Sequence, residues 1–455
     1  MKRIISFDFF RGLAVMLMLF MHVFIHIYSV ANPSNFGDVL SNPGQLAIFV
    51  PVFLFSNFRG FFLIISMILN AYNVTRSLRK GVSREKVLGK QLFTGFIIYI
   101  VGLLSEGYFQ YHGVFGRSLL TRTWRIDRFS HILHTEAINS IGISIMILGI
   151  LFYFLSFNDG ANKPLRNAII LAIIGIAVVV LSPLMYNVAS KAIGSYIDLG
   201  GGELGYSYYH VQYDFNSFGE FFNRLGWAIL VGKEQPLFPF LGVVCIGAIL
   251  GNYLAQEKPK RLITGVGMIS GGVIFIIGVV LLLFESDIMD AIVEIADTVH
   301  PTFFFCMLTG LQLLIICGWL RAYEFNPKRD MVKYTKRTRF FRRWGLVSLT
   351  LYVLQYYIEY LCEWIGEITT GIPFLTRWGV DFFPYVLIMM VLVVAVWDLV
   401  FRIWEKLKFV GTFEWQLTSL SSVVLNPQGE KGKKAERMNI RQTLYEPEPV
   451  VFYSE

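Results

Sequence analysis

Residues 6–29, SFDFFRGLAVMLMLFMHVFIHIYS, form an apolar run interrupted by Asp8, Arg11, His22, His26 and Ser29. A helix turns roughly 100° per residue, so Asp8 lies one turn before Arg11, His22 about three turns after it, and Ser29 about two turns further on. All five side chains share one stripe. In a membrane-spanning helix that stripe has to face protein or water, because a charge turned toward lipid costs several kcal/mol. The run is too long for a signal-peptide core and has no small-residue cleavage site, so it is expected to be retained as a first span.

The remainder of the chain supports a membrane setting. Its 455 residues are 55% hydrophobic and only 16% charged, with a mean hydropathy of +0.56. That excludes an ordinary soluble domain and predicts an all-α, polytopic membrane helical bundle. Apolar runs long enough to span lie near 9–30, 46–74, 88–106, 134–156, 166–188, 236–254, 262–284, 300–320, 344–366 and 384–404, about ten in all. Arg76 to Lys86, Lys163 with Arg166, Lys258 to Arg261 and Lys328 to Arg343 make every second connection basic. The bias predicts a multi-pass protein of the cell membrane with both termini cytoplasmic. The net charge of +8 is accounted for by those loops, so no nucleic-acid partner is expected; membrane lipids are.

One outer connection, 107–133, breaks the pattern with Arg117, Arg122, Arg125, Arg128, His112 and His131. It reads either as a loop that translocates despite its charge or as a basic surface for an anionic polymer, headgroup or sugar. The long connection 189–235 is rich in Gly, Tyr and Phe; its rings read first as interfacial anchors and otherwise as stacking platforms for sugar faces. Glu405 to Leu425 predicts an interfacial helix, which completes one membrane domain over 1–425. Residues 426–455 read as a cytoplasmic, weakly ordered tail. Cys245, Cys306, Cys317 and Cys362 fall inside apolar runs and read as core thiols.

Arg11 and His22 lie about 16 Å apart along a helix axis, so one sits near the cytoplasmic headgroups and the other in the outer half. Asp8 is spaced to pair with Arg11. A neutral His22 imidazole is suited to take a proton from a hydroxyl or amine, and His26 lies one turn further on the same face. The two histidines have metal-ligand spacing, but no motif supplies a third ligand, so no metal is expected. Arg59, inside the 46–74 run, is a further functional candidate. His131, His134 and Glu136 cluster where the outer loop enters span four and form a candidate acceptor site. Glu359 and Glu363 read as interfacial, and Asp398 is expected to pair locally.

Asp8, Arg11, Gly12 and His22 in DFFRGLAVMLMLFMH resemble the Asp-x-x-Arg-Gly…His first span of the transmembrane acyltransferase superfamily. That superfamily includes acyltransferase-3 enzymes, YeiB-like proteins and heparan-alpha-glucosaminide N-acetyltransferases. FFLIIS (61–66) followed by Arg76 and Arg79 resembles the family's second span and basic exit. PLFPFLGVVCIGAILG (236–251), HPTFFFCMLTGLQLL (300–314), LTLYVLQYYI (349–358) and KFVGTFEWQL (408–417) are similar to later segments. Met67 stands where acyltransferase-3 proteins usually place Gly, Gln355 where relatives often have His, and residues 30–50 lack the histidine of the heparan-type luminal loop.

The resemblance implies a transferase that takes acyl-CoA, most simply acetyl-CoA, from the cytoplasmic side. It passes the acyl group to a hydroxyl or amine of a sugar, glycan or glycolipid of the cell envelope at the outer face. His22 would act as base with Asp8, Arg11 and His26 around it, and Arg11, Arg59, Ser66, Arg76 and Arg79 would hold the donor. The alternative is a transporter or flippase in which His22 and His26 relay protons along the stripe.

Overall fold

The computed structural model describes residues 2–27, 41–56, 60–133, 135–193, 217–232, 235–284, 302–371, 383–425 and 438–452. The described residues are predominantly helical. After a two-residue strand β1 (Lys2–Arg3) come α1 (Ile5–Ile27), α2 (Pro43–Ser56), α3 (Phe61–Arg79), α4 (Arg84–Leu104), α5 (Val114–Thr121) and α6 (Ala137–Leu155). The middle of the chain forms α7 (Pro164–Ile193), α8 (Phe218–Val231), α9 (Leu237–Leu254), α10 (Leu262–Leu282) and α11 (Thr302–Ala322). It closes with α12 (Met331–Arg337), α13 (Arg339–Leu346), α14 (Ser348–Thr370), α15 (Phe383–Lys406), α16 (Phe413–Leu425) and β2 (Glu448–Pro449).

Among the described residues, nine helical stretches are long and apolar enough to cross a membrane. The chain is a multi-pass, all-α bundle. The apolar run at 46–74 is divided, with α2 a short helix of 14 residues and α3 the candidate span. The run expected at 344–366 forms α14, which at 23 residues is long enough but is not among the nine. Gln355, Glu359, Glu363 and Glu367 make it too polar to be recognised by hydropathy.

Contacts group the chain into two compact units. The first comprises residues 1–58, 108–129 and 332–449, and the second 59–107, 130–331 and 450–455. In the second unit, helices approach closely through small residues, as Gly271 of α10 does against the Gly310 backbone of α11. Without a hydrophobic driving force between helices in lipid, such backbone contact is a main source of association. Cys245, Cys306 and Cys317 are free thiols buried in this unit's helices, and Cys362 is one in the first unit.

The first unit is built on an even closer contact. A Cβ placed on Gly12 of α1 would fall on the Phe341 carbonyl of α13, and one on Gly345 would meet the Asp8 carbonyl and the Arg11 side chain. Only two glycines let these backbones meet. Phe7, Phe10 and Trp344 are buried around the crossing, and Trp344 meets Phe401 of α15 edge-on at 5.1 Å.

Of the weakly ordered tail expected at 426–455, residues 438–452 are described, and they make specific contacts, while 426–437 and 453–455 lie outside the described residues. Strand β2 pairs in parallel with β1, setting Lys2 opposite Glu448 and Arg3 opposite Pro449. Arg342, buried on α13, donates to the Thr443 carbonyl at 2.7 Å and the Leu444 carbonyl at 3.2 Å. Burying a guanidinium requires such acceptors, and burial also pulls its pKa below the ordinary arginine value. A polar composition had suggested disorder, but the fixed charge of Arg342 calls for these carbonyls.

Replacing Gly12 by alanine is expected to destabilise the protein by about 2–4 kcal/mol or abolish folding, because overpacking against backbone has no rotamer escape. Gly272 on α10 has open space around it. Gly272→Ala should therefore leave the thermal unfolding temperature in detergent unchanged or slightly raised.

Candidate functional site

The stripe on α1 meets a matching stripe on α14. Arg11 Nη2 donates to Ser348 Oγ at 3.0 Å, and His22 Nδ1 lies 2.9 Å from Gln355 Oε1. Ser348 and Gln355 are seven residues apart, about two helical turns, and so lie on one face of α14. The two contacts follow the same order along both helices. Therefore α1 and α14 run in the same direction.

Further along that face come Glu359 and Glu363, each one turn beyond the last. They were expected at the interface, but Glu359 is 0% and Glu363 4% exposed. The correction follows from the face they occupy, which packs inward within the first unit. Beside His22 lies the Tyr356 ring at 5.5 Å, and Tyr356 contacts Tyr111 at 5.9 Å, with Tyr360 completing an aromatic wall. The three rings present apolar faces with phenol hydroxyls at their rims.

The His22 contact bears on chemistry as well as position. In the tautomer in which Nδ1 donates to Gln355 Oε1, Nε2 is the basic position of the neutral imidazole. Gln355 is only 1% exposed, and its Nε2 has no hydrogen-bond partner among the described residues. A buried amide donor without an acceptor is costly, and Gln355 Nε2 is one of several such buried atoms among the described residues. The expected pair of Asp8 with Arg11 is replaced by another arrangement. Asp8 accepts from Arg3 at 3.1 Å, because β1 brings Arg3 back over the first turn of α1. Apart from Ser348, Arg11 has no hydrogen-bond partner among the described residues, which leaves donors for an anion.

Glu414 supports this face from the other end. Its carboxylate accepts from the backbone N–H groups of Leu349 at 2.6 Å and Thr350 at 3.3 Å, and from Thr350 Oγ1 at 2.6 Å. It therefore caps α14, satisfying orphan donors at the positive end of the helix. Burial pushes its carboxyl above the ordinary range while those hydrogen bonds pull it down. Arg343, buried on α13, binds Glu405 at 2.6 Å and Asp398 at 3.4 Å. Asp398 also pairs with Arg402 one turn away, at 2.6 Å, which includes the local partner expected for it.

The remaining candidate residues are distributed otherwise. His26 lies in the last turn of α1, but its side chain, like Ser29, Arg59 and His134, falls outside the described residues. Ser66, Arg76 and Arg79 belong to the second unit and Arg11 to the first. Arg79 donates to Asn162 Oδ1 at 2.9 Å and the Ala255 carbonyl at 3.0 Å, with Glu257 at 3.6 Å. Those partners give it a tethering role at the end of α3. Arg76, one turn earlier and half-buried, has no such partner among the described residues and is the freer of the two. Ser66 is half-buried on α3, His131 is buried in the 3₁₀ turn Ile126–Leu133, and Glu136 precedes α6.

Ser348, Gln355 and Glu414 were not singled out as site residues. The seven-residue step from Ser348 to Gln355, continued by Glu359 and Glu363, is the signal that could have revealed the α14 face, whereas nothing in that spacing points to Glu414. Replacing Glu414 by alanine should strip two backbone donors of their acceptor at a cost of about 1–3 kcal/mol. Faster amide hydrogen exchange at Leu349 and Thr350 would report the lost cap.

Comparison with protein-family models gives no match for this chain, and comparison with curated proteins gives none either.

Proposed function

We propose that the chain is a membrane-embedded acyltransferase that passes an acyl group from acyl-CoA to a hydroxyl or amine of a sugar, glycan or glycolipid. The observation that carries the reading is the His22–Gln355 contact at 2.9 Å on a helix whose Asp-x-x-Arg-Gly…His pattern resembles that of the transmembrane acyltransferases. A base oriented by a third group is the arrangement that general-base catalysis of acyl transfer requires.

His22 Nε2 takes the proton from the acceptor O–H or N–H as that atom attacks the thioester carbonyl. The carbon–sulfur bond then breaks, and the leaving thiolate of CoA recovers the proton from the imidazolium. Gln355 Nε2 would donate to the carbonyl oxygen while it carries negative charge, where a preorganised donor is most effective. Arg11, about 16 Å from His22 along the axis, would meet phosphate oxygens of the donor, which guanidinium groups match. Arg76 is a second candidate for that role.

The topology belongs to the same reading. Charge bias puts the Arg11 end of α1 at the cytoplasm and both termini there, in the cell membrane. The parallel order of α1 and α14 requires an odd number of crossings between them, and seven candidate spans separate them among the described residues. Donor and acceptor would then approach the stripe from opposite faces.

Purified protein supplied with radiolabelled acetyl-CoA and envelope glycan and lipid extracts should transfer label. His22→Ala should lower kcat by roughly 10²–10⁴-fold, leaving the acetyl-CoA KM little changed. Gln355→Glu, by placing a carboxylate on the imidazole, favours its protonated form. The acid limb of the kcat/KM profile should therefore move to higher pH. Unchanged turnover in His22→Ala would refute the assignment, and substrate flux in proteoliposomes without acyl-CoA would point to the transporter instead.

A further inference from the structure

Within the first unit, α5 and the turn after it lie along α14 and border an open groove of about 750 Å³. Its walls are Phe115, Leu119, Trp124, Leu354, Tyr357 and Trp364, with Arg122 at the rim. The volume falls in the roughly 300–1,000 Å³ range of ligand sites. Leu354, Tyr357 and Trp364 sit, at 100° per residue, on the side of α14 opposite Ser348, Gln355, Glu359 and Glu363. The groove is therefore separate from the His22 face.

Its charge identifies the occupant. Residues 108–129 carry Arg117, Arg122, Arg125 and Arg128 against the single carboxylate Asp127. Arg122 is shared with Glu367 at 3.0 Å yet remains 55% exposed, while Arg125 and Arg128 both lean on Asp127, at 2.7 and 3.5 Å. Arg122 on the rim, and Arg125 next in sequence to the wall residue Trp124, put positive charge beside an aromatic trough. That combination complements a molecule with a negative head and a hydrocarbon tail.

We infer that this groove binds an anionic phospholipid, with one acyl chain between α5 and α14 and its phosphate on Arg122 and Arg125. The inference holds whether or not the chain transfers acyl groups. The site differs from the general lipid annulus because the annulus has no preference for headgroup charge.

The test is native mass spectrometry of detergent-purified, delipidated full-length protein titrated with phosphatidylglycerol or phosphatidylcholine of identical acyl chains. One phosphatidylglycerol should bind at concentrations at which phosphatidylcholine does not. Arg122→Gln and Arg125→Gln should each weaken it about fivefold, the factor for one basic residue near an anionic headgroup. Leu354→Trp, which fills the trough, should weaken both lipids, with unchanged melting confirming that each variant is folded. Inorganic phosphate alone should compete poorly, because the chain contributes to binding. A phosphatidylglycerol carrying a photoreactive acyl chain should label peptides that contain residues 115–124 or 354–364. Equal binding of the two lipids, Arg122→Gln behaving as wild type, or labelling confined to other peptides would overturn the proposal.

Discussion

Polar side chains carried into hydrocarbon on one helix have to be met by polar groups on another, and in the first unit α1 is met by α14. Arg11 finds Ser348 and His22 finds Gln355. Magnitudes show what these contacts are for. Hydrogen bonds between membrane helices average about 0.6 kcal/mol, too little to assemble the unit. The Gly12–Gly345 approach between α1 and α13, with Trp344 and Phe10 packed around it, carries the association. The polar contacts then set the rotation of α1 against α14. Stability and orientation rest on different residues, which allows the site to be polar without the bundle depending on it.

Glycine in the Arg-Gly step of α1 acquires a physical reason in this arrangement. Arg11 reaches Ser348 only because the next residue lets the backbone of α1 lie against α13, and α13 leads directly into α14. Glu414 fastens the start of α14 at the positions that follow Ser348. The segment KFVGTFEWQL thereby acts on the same helix that α1 meets. The two ends of the chain converge on one face.

The all-α bundle and most of its spans were legible because long apolar runs have few alternatives in a membrane. The one-face geometry of Asp8, Arg11 and His22 was legible for the same reason. What escaped was partner choice. Asp8 and Arg11 have the spacing of an ion pair, but Arg3 and Ser348 compete for them from elements whose approach depends on Gly12. Glu359 and Glu363 read as surface carboxylates because hydropathy averages a helix around its axis, whereas burial depends on which side is turned inward. Residues 438–449 looked polar and loose, and nothing local reveals that Arg342 lies waiting for the Thr443 and Leu444 carbonyls.

The central claim is that α1 connects a donor on one side of the membrane to an acceptor on the other. Sealed vesicles of the two orientations, each given externally added labelled acetyl-CoA, test it most directly, because the donor does not cross the bilayer. The account predicts consumption only in vesicles whose cytoplasmic face is outward, with labelled acetyl recovered on lumenal acceptor. Consumption in neither orientation, or label recovered on the same side as the donor, would contradict it.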